Sequence, residues 1–476
     1  MIQNPKYAVF VVKSETQFRE LLRVARLLRS SGHYDVLFYF DDPLTGSLEK
    51  MTGICRKEGV VFLPSVPESG GAQQVMPAAK FKIRDILKSI SNALPGSVCR
   101  RFIIFWYLFE YLSQIRDARR LINCMRADII VMAEDGMGAN RAIIKQATIR
   151  NIPVLIVPYE YSTITQPAES IINTYNYRNI YGMGNILNKI VTRIFPRWVY
   201  RYKGETLLRD QGSAIVWQEL FGLAPVLPWA VHGGNADMIA VECQVMLEHY
   251  LNQGIAEKKL VLTGALYDDD LTKVMNECER CRQNLYRSLN LPAGRRMLLC
   301  AVPPDLVALR PGSDFKSYKD LLDFWVEALL SLNDINIVFQ MHPRVTQEQA
   351  EYIESKGGKV VRQDITTLIP LCDVLVTSVS SIIRMAIACK KPVLNYDVYK
   401  FKYSDYENAG GVITIESKDE FLSDLNRLFN DRMFYCEISS LQSACADKWG
   451  MHDGHSGNRM IALFDKLVVK NPQDKD

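Results

Sequence analysis

Chemistry in this chain is concentrated where short apolar runs end. The run Val374-Leu375-Val376-Thr377 closes on Ser378-Val379-Ser380-Ser381 and passes directly into a helical pattern. Hydroxyls donate to phosphate oxygens without adding charge, and a helix start offers free N–H groups and the positive end of its dipole to an anion. The plainer role for these serines is helix capping. A second run, Ile337 to Met341, ends on His342-Pro343-Arg344. There an imidazole can donate to a phosphate or ribose oxygen and a guanidinium can clamp one with two bonds, unless Pro343 only starts a surface turn. A third, Ile129 to Ala133, ends on Glu134-Asp135-Gly136-Met137-Gly138. Paired carboxylates at a strand end suit a general base facing an acceptor hydroxyl, with glycines giving a ligand room; otherwise they cap the next helix. Glu160, in Tyr159-Glu160-Tyr161, is a third carboxylate expected on the same edge.

Other clusters are weaker. Asp268-Asp269-Asp270 has a DxD spacing that holds a divalent metal in other architectures, but it stands just before a long helix, where acidic caps are expected. Cys278 and Cys281 form a lone CxxC with no second pair at zinc spacing. No metal site and no cofactor is assigned. HExxH, GxSxG and P-loop patterns do not occur. Helical spacing puts Ile186, Leu187, Ile190, Val191 and Ile194 on one face, with Lys189, Arg193 and Arg197 off it, and Trp198-Val199-Tyr200-Arg201-Tyr202-Lys203 follows. Basic and aromatic residues around an apolar stripe suit an anionic membrane interface. The alternative is a surface helix packed on its own core.

The elements that must position these residues alternate in the manner of parallel α/β units. Strands are expected at 7–12, 35–40, 128–133, 153–158, 238–241 and 260–263, with helices between them such as 18–29 and 140–150. A second set of strands, at 297–302, 335–341, 374–377, 392–396 and 411–415, alternates with helices at 317–331, 347–355, 382–389 and 418–430. One helix is expected over 271–289 and a last one over 456–469. At about 150 residues per domain, the 476 residues allow two or three domains. The pattern favours two, 1–270 with an insertion at 161–230 and 293–448, followed by a segment 449–476 that crosses back to the first.

Composition excludes other classes. With 48% hydrophobic and 23% charged residues, the chain is neither fibrous nor disordered. A formal charge of +4, from 57 Lys+Arg against 53 Asp+Glu, demands no nucleic-acid partner. Eleven scattered cysteines fit reduced thiols in the cytoplasm. The start has no basic region followed by a long apolar one, and the longest apolar run, Phe102 to Phe109, is far short of the roughly 20 residues that span a bilayer. A cytoplasmic protein is expected, peripheral at the inner membrane face if the 186–203 segment binds there.

Several of these patterns, taken in order, resemble the GT-B nucleotide-sugar glycosyltransferases of bacterial surface polysaccharides. Gly254-Ile255-Ala256-Glu257-Lys258-Lys259-Leu260-Val261-Leu262-Thr263-Gly264 is similar to the element that closes their first domain. His342-Pro343 is similar to the HP motif, Ser380-Ser381 to the SS motif, and Glu134-Asp135-Gly136 to the acidic motif of sialyltransferase-like and capsule enzymes. The stretch 373–381, Lys391-Pro392 and 453–459 also resemble the CDP-glycerol glycerophosphotransferases. The resemblance covers about 125–160 and 235–465, and is weak over 45–125 and 161–230.

It implies two Rossmann-like domains facing a central cleft. It also implies a metal-independent transfer of sugar from a nucleotide-activated donor, CMP-, UDP- or similar, to a glycan or lipid-linked acceptor. Asp135 or Glu134 would be the base, with Glu160 as a further candidate, while His342, Pro343, Arg344, Ser378, Ser380 and Ser381 would hold nucleotide and phosphate. UDP-N-acetylglucosamine 2-epimerases share the fold and are the competing reading. Lys13-Ser14-Glu15-Thr16-Gln17, Tyr159-Glu160-Tyr161-Ser162 and Ser378-Val379-Ser380-Ser381 depart from their catalytic loops. A phosphotransferase and a non-catalytic nucleotide-binding subunit remain alternatives.

Overall fold

The computed structural model describes residues 5–41, 45–64, 96–159, 161–309, 312–341, 345–403 and 405–469. The chain divides into two compact units, the first comprising 1–241, 248–261 and 459–476 and the second 242–247 and 262–458.

In the first unit β1 (Lys6–Val12), β2 (Tyr34–Phe40), β3 (Val61–Pro64), β4 (Ile129–Met132), β5 (Val154–Ile156), β8 (Met238–Val241) and β9 (Leu260–Leu262) form one sheet in the order β3-β2-β1-β4-β5-β8-β9. β6 (Val199–Tyr202) and β7 (Glu205–Leu208) form a separate antiparallel hairpin. Near-continuous apolar runs such as Ala8 to Val12, fully buried, read as strands covered on both faces, and β1 pairs in parallel with β2 and β4. The chain winds outward from β1 through β2 to β3, then restarts at β4 on the other side of β1. That reversal is a topological switch point, where strand ends splay and leave a crevice.

In the second unit β10 (Arg296–Ala301), β11 (Ile335–Gln340), β12 (Lys359–Val361), β13 (Val374–Thr377), β14 (Val393–Tyr396) and β15 (Val412–Ile415) repeat the design in the order β12-β11-β10-β13-β14-β15. The switch point lies between β10 and β13. One side of this sheet is held by Trp325, which stacks on Tyr396 at 5.7 Å and packs on Phe421 at 5.2 Å.

Where the structure departs from the sequence reading, local chemistry explains it. The single helix expected at 271–289 is two, Leu266–Asn276 and Cys278–Ser288, broken at Glu277. β3, β12 and the β6–β7 hairpin are four residues or fewer each, too short for a period to register. The helices Gly96–Cys124 and Arg432–Cys445 were not singled out in the sequence. No helix among the described residues is long and apolar enough to cross a membrane.

Candidate active site

In the first unit the register carries the site. β1 pairs with β4 through Val11 and Met132, and with β2 through Val12 and Phe40. One residue past the Val12–Phe40 pair and two past Val11–Met132, Lys13 therefore stands between Asp41 and Glu134. The contacts agree: Lys13 Nζ lies 3.5 Å from Asp41 and donates to the Gly138 carbonyl at 2.8 Å. Gln17, buried at the start of the helix Glu15–Ser31, accepts from the Lys13 backbone at 3.0 Å and donates to Glu134 Oε1 at 3.2 Å. Burial pushes the Glu134 carboxyl above its ordinary range, against Lys13 and Gln17, which favour the anion. The result is a half-buried carboxylate, oriented by an amide, at the switch point.

Its neighbour has a different task. Asp135 is 1% exposed, and its two oxygens accept from the backbone N–H groups of Gly234 at 3.0 Å and Ala236 at 2.9 Å. It ties the 234–236 turn to β4, one hydrogen bond to each oxygen, and is sealed from solvent there. The protein's own packing also calls for the glycines. A Cβ on Gly136 would lie 2.4 Å from the Val231 carbonyl, and one on Gly138 would lie 2.5 Å from both Glu134 oxygens. Glu160 lies outside the described residues.

In the second unit the loop after β13 holds three hydroxyls. Ser378 is buried and its Oγ has no hydrogen-bond partner among the described residues. Val379 follows at φ +35°, a region a β-branched residue adopts only under constraint. The constraint is Asn395 of β14, whose side-chain oxygen accepts from the Val379 N–H at 2.8 Å while its amide donates to Thr414 at 3.2 Å. Ser380 accepts weakly from the Ile382 N–H at 3.4 Å, and the exposed Ser381 caps nothing. Capping therefore leaves these hydroxyls largely unspent. His342, Pro343 and Arg344 lie outside the described residues.

Whole-chain comparison with solved structures decides the architecture. The S. aureus MnaA–UDP co-structure is 14% identical, with 99% of this chain and 100% of that one covered at a TM-score of 0.51. The glycotransferase of kitacinnamycin is 13% identical over 98% and 99% at 0.53, and a putative UDP-N-acetylglucosamine 2-epimerase from Listeria monocytogenes is 12% identical over 98% and 96% at 0.50. The fold is GT-B. A profile of the CDP-glycerol:poly(glycerophosphate) glycerophosphotransferase family matches residues 252–462 of this GT-B chain. No curated protein matches it in sequence.

The sequence reading of this GT-B protein missed Lys13, Gln17, Asp41 and Asn395. Lys13 and Asp41 each follow a strand directly, which was the available signal, but strand order was needed to set them beside Glu134. The acidic run lies in the first turns of the helix Leu266–Asn276 and not before it, and two of its carboxylates hold the 451–457 segment. Asp269 accepts from Ser456 and Gly457 N–H at 3.1 and 2.9 Å, and Asp268 accepts from Met451 N–H at 3.1 Å. In the basic segment the residues divide. Trp198 is 0% exposed, at the centre of a core with Val191, Leu208 and Ile215, so it is not a surface anchor. Arg197 is neutralised by three hydrogen bonds to Glu219. Lys189, Arg193 and Arg201 are exposed and make no ion pair among the described residues.

Proposed function

We propose that this protein is a metal-independent transferase of GT-B fold. It moves a sugar from a nucleotide-activated donor to a hydroxyl of a glycan or lipid-linked glycan in bacterial surface polysaccharide synthesis. The observation that carries the reading is the buried, unpartnered Ser378 Oγ at the head of a strained loop beside the second switch point. An unsatisfied buried hydroxyl is costly, so its partner is expected from a ligand.

In this mechanism Glu134 takes the proton of the acceptor hydroxyl. The freed oxygen lone pair forms a bond to the anomeric carbon as the bond from that carbon to the donor phosphate oxygen breaks. The electron pair leaves on the nucleotide phosphate, where the serine hydroxyls stabilise it. The raised affinity of Glu134 for protons makes it a better base than an exposed carboxylate. His342 and Arg344 enter this proposal on their motif alone.

The family profile over residues 252–462 favours a second reading with the same parts, in which the acceptor oxygen attacks phosphorus and a polyol phosphate is transferred. Purified protein offered CMP-, UDP- and CDP-activated donors with glycan acceptors tests both readings. Transfer that survives a chelator supports the proposal. Interconversion of a UDP-sugar without acceptor identifies an epimerase. A thermal-shift panel of CMP, CDP, UDP and GDP on wild type and Ser378→Ala tests the donor site directly. Stabilisation by none of them would sink it.

The acceptor side of the proposal includes a membrane face. On the helix Ile186–Ile194, Leu187 and Val191 turn inward, while Ile186, Ile190 and Ile194 are 76%, 48% and 61% exposed. Lys189 and Arg193 flank that stripe, and the helix carries no acidic residue. Isolated exposed apolar side chains are ordinary, but three in line beside unpaired cations suit an anionic lipid surface.

A further inference from the structure

Arg209 follows β7 directly, and its guanidinium and the Glu134 carboxylate each act on the other electrostatically. Its Nε is sealed from solvent with no hydrogen-bond partner, and none of its nitrogens makes an ion pair or side-chain hydrogen bond among the described residues. The Trp229 ring, 5.9 Å from the guanidinium carbon, supplies a distant cation–π contact that satisfies no N–H.

The neighbouring charges do not answer it. Asp210 is spoken for: its oxygens accept from the Gln211 N–H at 2.8 Å and from Gln218 Nε2 at 2.8 Å. Arg141 also faces Asp210 and donates to Gln218 Oε1 at 2.8 Å. The groups that act on Arg209 electrostatically are Asp210, Tyr181, Arg141 and Glu134, one of them a second cation. Burial pulls its proton affinity below the ordinary arginine range, the mark of a charge held away from water. An unpaired guanidinium in this setting is a stability cost, and such costs persist where a ligand removes them.

We propose that Arg209 is the floor of an oxyanion subsite beside Glu134, taking a phosphate or carboxylate carried by the acceptor. The planar fork of a guanidinium, with its accessible Nη groups, matches either oxyanion with two bonds. The inference rests on Glu134 serving the acceptor hydroxyl, and it adds that this acceptor is anionic near the reacting oxygen.

The test uses the full chain and three small probes: glycerol 3-phosphate, glycerate and glycerol. Calorimetric titration of wild type is expected to show saturable binding of one or both anions and none of glycerol, with the preferred anion separating phosphate from carboxylate. Arg209→Gln is expected to weaken that binding about tenfold or more, Arg209→Lys by less, and Ser378→Ala not at all. Arg209→Gln is also expected to melt no earlier than wild type, because it removes an unpaired buried charge; a purely structural arginine would lower the melting temperature. Anion binding that is absent in wild type, equal in Arg209→Gln, or lost in Ser378→Ala would overturn the proposal. The transfer assay separates this inference from the reading beneath it. If Glu134→Gln abolishes transfer while Arg209→Gln leaves the acceptor KM unchanged, only the subsite fails. Transfer that survives Glu134→Gln removes the base itself.

Discussion

Asn395 holds Val379 in a conformation that valine does not choose. One hydrogen bond of 2.8 Å from the Val379 N–H to the Asn395 side chain offsets a φ of +35° in the loop that bears the three serines. Strain of this kind costs roughly 1–3 kcal/mol and persists only where the surroundings over-determine it. Asn395→Ala should therefore release the loop and raise the donor KM more than it lowers kcat. Val379→Gly, at home at positive φ, should restore much of that loss in the double variant. A donor KM unchanged in Asn395→Ala would show that the strained loop plays no part in binding.

Glu134→Gln should reduce transfer by about 10²–10⁴-fold while nucleotide-induced thermal shifts stay at the wild-type size. The rate should rise with pH as Glu134 ionises, on an acid limb above the ordinary glutamate range because burial raises its pKa. Lys13 favours the anion, so Lys13→Ala should move that limb to higher pH. A limb that stays put or moves down would contradict the assignment.

Asp135→Ala should act through folding. It leaves the Gly234 and Ala236 N–H groups buried without an acceptor, at a cost of roughly 3 kcal/mol or more. Gly234→Ala should be as damaging, since its Cβ would stand 1.9 Å from the Asp135 carbonyl. Urea denaturation of both variants measures this, and wild-type midpoints would refute the anchoring role.

Asp268 predicts a pH-dependent stability. Burial raises its pKa from 3.8 to about 7, so the folded state retains a proton that the unfolded chain releases. Its contribution is fully present below pH 3.8 and is lost as pH rises through about 7. Asp268→Asn should flatten the stability profile across that window and be more stable than wild type at pH 8 by roughly 2–4 kcal/mol. Parallel wild-type and variant profiles between pH 4 and 8 would count against it.

Vesicle sedimentation tests the isoleucine stripe. Wild type should bind phosphatidylglycerol-containing vesicles and not pure phosphatidylcholine, with each of Lys189→Ala and Arg193→Ala weakening binding about fivefold. Ile190→Ser/Ile194→Ser should abolish binding without changing the melting temperature. Wild-type binding in that double variant would remove the lipid assignment.

Much of the architecture was legible because burial on both faces demands runs such as Ala8 to Val12 and Val374 to Thr377, and their helices start at readable caps. Ser317 accepts from Asp320 N–H, and Ser417 forms a capping box with Glu420. The site was legible to the level of which loops end strands. Within those loops the sequence could not rank Glu134 against Asp135, since adjacent carboxylates differ only in where they point.

The sequence by itself determined the alternation of strands and helices, the two windings and the loops in which polar residues cluster, because those depend on period and local propensity. Tertiary structure decided the rest. Parallel pairing of β1 with β4 brings Lys13 and Gln17 to Glu134 from more than a hundred residues away, and closure of the 234–236 turn is anchored on Asp135. Packing of Val191 and Trp198 into one core turns Ile186, Ile190 and Ile194 outward. Each of these depends on the partner a side chain meets across the fold, and hydrophobic period along the chain carries no record of that partner.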